Sequence, residues 1–166
     1  MSFFYGFNLI WNSIVLDLTI LWIIIPVLFT WLFIILYFGK FKDEEMNWGG
    51  FLQNSLALTW ITFSSLRGIF SAVKIDFLWI RFSILCFILV YSISLFYFSY
   101  THRGPLWFGY LAMPTPINFM AFVAIIFSNP LLVINSWLFF SFFIIFLTML
   151  LVSFIARLLL PEADLY

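Results

Sequence analysis

IVLDLTILWIIIPVLFTWLFIILYF, residues 14–38, is a 25-residue run with one charge, Asp17, at its entrance and none after it. A helix needs about 20 apolar residues to cross the hydrocarbon core of a bilayer. The same signal recurs at Phe77–Tyr100 and at Ser136–Leu160. These runs predict an all-α integral membrane protein. The expected fold is one domain over residues 1–166, a bundle of four or five transmembrane helices joined by short loops.

Composition narrows the possibilities. The chain is 66% hydrophobic and 8% charged, and its mean hydropathy is +1.18. A soluble domain carries about 25% charged residues, and a chain this small cannot hide the difference in its own core. Net charge is zero, which gives no steering toward nucleic acid. Cys86 is the single cysteine, so neither an intrachain disulfide nor a thiolate metal cluster can form. Met1–Asn12 has no basic opening and no small-residue cleavage site. The first apolar run is therefore expected to be retained as a span and not removed as a signal.

Five segments follow from the punctuation. The first span, about 14–38, is expected to kink at Pro26 and to end at Gly39. GKFKDEEMNW (39–48) reads as a solvated turn, because its charges nearly cancel. GGFLQNSLALTWITFSSLRGIFSAV (49–73) is long enough to span but carries nine polar residues. At 100° per residue, Gln53, Ser64, Arg67 and Ser71 fall on one side, with Asn54 and Ser65 beside them and Ser55, Thr59 and Thr62 opposite. It is either a span inside the bundle or an interfacial helix. Leu56, Leu58, Trp60, Ile61, Phe63 and Leu66 are too spread around the axis for a clean surface helix, which favours the span. The third span is about 77–100, followed by a turn at Gly104-Pro105. The fourth is expected over 116–134 with a kink at Pro130, leaving 106–113 on the surface with Trp107 and Tyr110 at headgroup level. An alternative span starts near Leu106 and turns at Ser128-Asn129-Pro130. The last span is 136–160, where Arg157 can snorkel and Pro161 stops the helix.

Orientation rests on lysine and arginine counts. With five spans, Lys40, Lys42, Arg103 and Arg157 share one side, against Arg67, Lys74 and Arg81 on the other. If 49–73 lies on the surface, Lys40, Lys42, Arg67, Lys74 and Arg81 gather on one face. The charge rule thus favours the interfacial alternative and packing favours the span.

The residues that could carry chemistry are few. Arg67, Lys74 and Arg81 are spaced by seven, with Asp76 among them. On one continuous helix they would form a stripe able to contact an anionic lipid headgroup, a partner subunit or an ion path. Span ends that merely snorkel give the same pattern. Gln53 and Asn54 offer hydrogen bonds between helices. His102 is the single histidine, which rules out bis-histidine haem within the chain and a histidine-rich metal site. No phosphate loop, HExxH, GxSxG or paired intramembrane carboxylates occur, so an enzyme is disfavoured and no cofactor is expected.

In general look the chain resembles small, Phe-rich hydrophobic subunits of membrane complexes, without the signature motifs of respiratory oxidase, quinone-reductase or proton-channel subunits. The expected role is a structural or accessory subunit of a larger membrane assembly. A small transporter or channel, or a lipid-binding protein, is the alternative. Expected partners are membrane lipids and other membrane subunits or further copies of the chain, with no nucleic acid. The expected location is a cell inner membrane or the mitochondrial inner membrane.

Overall fold

A computed structural model describes residues 4–17, 20–40, 48–72, 76–103 and 108–160. Every regular element among them is an α-helix: α1 (Tyr5–Leu16), α2 (Leu21–Lys40), α3 (Trp48–Ser71), α4 (Leu78–Thr101), α5 (Phe108–Leu111), α6 (Pro114–Ser128) and α7 (Ser136–Leu159). Three helices are long and apolar enough to cross a membrane: Leu21–Gly39 of α2, and the whole of α4 and α7. Only 17%, 28% and 22% of their most apolar windows are buried within the chain, so their side chains mostly point outward. Contiguous apolar surface on that scale suits hydrocarbon and not water.

The centre of the bundle is its shortest long helix. α6 has 15 residues and rises about 22 Å at 1.5 Å per residue. Ala121 through Phe127 are all buried, so α6 has no outward stripe in that stretch. It touches α1, α2, α3, α4 and α7. A helix that is apolar all round is stable only when surrounded, and here the other helices surround it.

Side-chain pairs fix the directions. α3 and α4 are antiparallel along their full length: Trp48 stacks on His102 at 5.2 Å, Thr59 Oγ1 donates to Ser92 Oγ at 3.0 Å, and Phe70 meets Phe82 at 6.0 Å. α6 and α7 are antiparallel through Thr115–Ser153 (2.8 Å), Phe119–Phe146 (4.8 Å) and Phe127–Phe139 (6.1 Å). α2 touches α6 where Trp31 Nε1 donates to Thr115 Oγ1 at 3.3 Å. It runs with α7, since Gly39 lies against Ala156 and Leu160. Thus α2, α4 and α7 point one way and α3 and α6 the other. One end of the bundle carries Arg81 and the other carries His102. The buried faces of α3 and α4 mix small hydroxyl residues with aliphatic ones: Ser55, Leu58, Thr62, Ser65 and Ile69 on α3, and Leu85, Ile88, Ser92, Leu95 and Ser99 on α4. Small hydroxyl residues let helix backbones approach closely.

Three expectations change. The helix of the first apolar run starts at Leu21 and not at Ile14, because Asp17 leaves helical geometry (φ −132°, ψ 85°) and ends α1. A separate α1 precedes it and packs against α7. Second, no helix kinks through Pro130. α6 stops at Ser128, with Asn129 extended (φ −73°, ψ 117°). Proline has no N–H to continue the ladder, and its ring drives the preceding residue out of helical geometry. Third, the conditional stripe of Arg67, Lys74 and Arg81 has no continuous helix beneath it, because α3 ends at Ser71 and α4 begins at Leu78. The turn at 41–47, Lys74, Gly104-Pro105, Trp107, and Pro161 with the tail beyond it lie outside the described residues.

α1 meets α7 at Gly6, where an added methyl group would overlap the Trp137 carbonyl and the Ser141 hydroxyl. We expect Gly6→Val to push α1 off the bundle and cost about 1–3 kcal/mol, read as a lower thermal unfolding midpoint in detergent. An unchanged midpoint would show that α1 does not need this contact.

Candidate functional site

The end of α6 poses an accounting problem. The last four carbonyls of an α-helix have no partner within it, and a buried carbonyl without one is costly. Pro130 sharpens the problem by removing the donor that would have continued the helix. Ile125 O accepts from Ser128 Oγ at 2.7 Å, and Ile126 O accepts from Asn129 N at 3.2 Å. Phe127 O, and the carbonyls of Asn129 and Leu132 just beyond the helix, fall to Arg81.

Arg81 is fully buried. Its guanidinium enters this helix end and donates through Nη1 to Phe127 O at 3.0 Å and to Asn129 O, and through Nη2 to Leu132 O. Nε donates to the Asp76 backbone carbonyl at 2.9 Å. Four carbonyls thus surround a planar cation whose five donors lie in one fork. The charge also sits at the negative pole of the α6 dipole, where a cation is favoured. Local geometry brings the pieces together. Phe77 adopts a left-handed conformation (φ 56°) just before α4, and Arg81 lies in the first turn after it.

Asn129 extends the network to a third helix. Its Nδ2 donates to Ser13 O at 2.8 Å, while its Oδ1 accepts from Leu131 N at 2.9 Å. Ser13 O belongs to the last turn of α1, so this bond anchors the end of that helix. One short irregular stretch, 129–135, is thereby tied to both α1 and α4. Among the described residues, Ser99 Oγ is the one buried side-chain polar atom without a hydrogen-bond partner.

The other sequence-selected residues are scattered. Gln53 and Arg67 are exposed on the outside of α3, and Asn54 is half-buried beside them. Asp76 is exposed and enters the network through its backbone carbonyl. Lys74 lies outside the described residues. The structure therefore joins Arg81 to the Asp76 backbone and separates both from Gln53 and Asn54. Sequence reasoning missed Asn129 and Ser13. The available signal was an Asn-Pro pair closing an apolar run, with a lone arginine inside another run to answer it.

Elsewhere, an open groove of about 280 Å³ runs along α4 between Phe87, Tyr91, Leu95, Phe98, Phe108 and Leu111, with Tyr91 Oη donating to Leu111 O at 2.7 Å. Its lining is almost wholly apolar. No group of three His, Cys, Asp or Glu among the described residues could hold a metal ion. No protein-family model, curated protein or solved structure matches this chain.

Chemically, the Arg81 network joins helices and presents nothing to a substrate. Every donor direction that the guanidinium uses ends on backbone. We expect Arg81→Gln to strand several buried carbonyls and to cost about 3–5 kcal/mol, as when one partner of a buried charged cluster is removed. Arg81→Lys should recover only part, because an ammonium lacks the planar fork. Asn129→Leu should cost about 1–3 kcal/mol by freeing the Ser13 carbonyl. Thermal unfolding in a single detergent ranks all three variants. Equal stability of the Lys and wild-type proteins would show that charge alone suffices.

Proposed function

We propose that the chain is a structural or accessory subunit of a larger membrane assembly, crossing the bilayer with α2, α3, α4, α6 and α7. α3 pairs with α4 from end to end, and α4 is long and apolar enough to span. The same register supports a crossing α3 and counts against an interfacial one. α6 is apolar and enclosed, and the carbonyls of Ile125, Ile126 and Phe127 at its end accept hydrogen bonds within the bundle. α1 then lies across the Arg81 end.

The observation that carries this reading is the outward face of α3. Gln53, Ser64, Arg67 and Ser71 are all exposed there, on a helix whose neighbours expose Phe, Leu and Trp. Polar side chains on a crossing helix are costly toward lipid and mark contact with something else. A transport path inside one copy has less support. The core of α6 is filled by apolar side chains, Arg81 is committed to backbone carbonyls, and Gln53 and Arg67 line nothing within the bundle.

The test is purification from native membranes in mild detergent with mass measured on the intact particle. We expect the chain to travel in a particle heavier than its own 19.7 kDa plus detergent, with other polypeptides in fixed ratio. Recovery as a lone folded monomer under gentle extraction would remove the proposal.

A further inference from the structure

α3 carries two seams. The inner one, Ser55, Leu58, Thr62, Ser65 and Ile69, is buried in the bundle. The outer one runs through Gln53, Ala57, Trp60, Ser64, Arg67 and Ser71, and every member is exposed. Both seams step by alternating threes and fours, the spacing that keeps one stripe of a helix against a neighbouring helix. Arg67 and Gln53 make no hydrogen bond or ion pair with any described residue.

We infer that this outer seam is the docking face for a transmembrane helix of a different polypeptide, one that carries an Asp or Glu inside its apolar stretch to meet Arg67. The inference rests on the subunit reading above and adds the face and the partner's chemistry.

Depth is the first reason. The α3–α4 register sets Arg67 about level with Ile84, nearly two turns inside α4. The two seam ends, Gln53 and Arg67, lie about 21 Å apart along the axis at 1.5 Å per residue. A hydrocarbon core about 30 Å thick encloses both. Charge complementarity is the second reason: a guanidinium at that depth needs an acceptor, and a carboxylate gives it a bidentate one.

Lipid phosphate is the competing acceptor, and helix geometry disfavours it. Side chains lean toward the N-terminus of their helix. α3 begins at the His102 end, so Arg67 leans toward the bilayer centre and away from the nearer headgroups. A second copy is disfavoured too. Rotation about the membrane normal would bring Arg67 against Arg67 of the second copy at equal depth. The seam also offers Trp60, 74% exposed, as a large anchor flanked by the small Ala57 and Ser64. Aromatic anchors of this kind dominate interfaces.

The full chain can be tested in its own membranes with a photo-cross-linking amino acid placed singly at Ala57 and Ser64. Phe33 on α2 and Phe143 on α7, both exposed, serve as comparison sites. We expect a protein adduct of one mass at Ala57 and Ser64, mapping to an apolar segment that contains Asp or Glu. Arg67→Glu should lower the adduct yield on the order of tenfold, and Arg67→Lys should hold it within about threefold. Thermal unfolding of each variant should match wild type, because Arg67 is exposed and makes no hydrogen bond or ion pair with any described residue. Four results would overturn the inference: lipid adducts alone, an adduct of twice the chain's mass, a partner segment without a carboxylate, or a yield indifferent to charge reversal. Protein adducts at Phe33 or Phe143 but none on α3 would overturn this face and leave the subunit reading standing. A lone monomer on purification removes that reading separately.

Discussion

A backbone carbonyl removed from water must find a donor, and this bundle is arranged around that constraint at the end of α6. Asn129-Pro130 ends the helix, and the chain must still turn through 129–135 before α7 can begin. The turn faces both ways: Asn129 and Leu132 are buried, while Leu131 and Val133 are exposed. Arg81 answers the carbonyls of Phe127, Asn129 and Leu132, and Asn129 in turn answers that of Ser13. Removing the cation therefore loosens α1, α4, α6 and α7 together, because the same few bonds hold the meeting point of all four.

Around that point the packing follows ordinary rules for helices in lipid. Where helices meet closely, as at Ser55, Thr62, Ser65, Ser92 and Ser99, the residues are small. Hydroxyls on these helices mostly donate back to their own backbone, as Thr62 does to Leu58 O at 2.7 Å. Where helices face outward, on α2, α4 and α7, most side chains are large and apolar, and exposed Thr30, Ser94 and Thr148 donate to their own backbone. The usual soluble arrangement of a greasy centre and polar rim is replaced by greasy surfaces on both sides of a tight middle. α3 departs from this pattern, and its departure is what gives the chain a direction in which to look for company.

Much of this was legible in the residues. The long apolar runs at α2, α4 and α7 are visible from length and composition alone, because a spanning helix needs little beyond a sustained transfer energy. The polar stripe of Gln53, Ser64, Arg67 and Ser71 followed from helical periodicity, although periodicity does not say which side of α3 faces the bundle. The structure shows that the bundle side is the one carrying Ser55, Leu58, Thr62, Ser65 and Ile69. The division at Asp17 was harder to see. One charge in a 25-residue run does not by itself distinguish a tolerated entrance from a break between two helices. The fate of Arg81 was hidden for a different reason. A cation one turn inside a span has the same sequence signature whether it reaches outward to headgroups or inward to a helix end. Three of its four acceptors lie 46 to 51 residues away in the chain.

That separation bears on how the chain is made. Arg81 is synthesised well before Phe127, Asn129 and Leu132, and a growing polypeptide that stops short of α6 holds a guanidinium with only the Asp76 carbonyl to meet it. An N-terminal fragment ending after α4 is thus electrically incomplete even with its helices formed. Until α6 arrives, water, lipid phosphate or an assembly factor has to keep company with that charge. The order of synthesis thus leaves the centre of the bundle open until its second half is made.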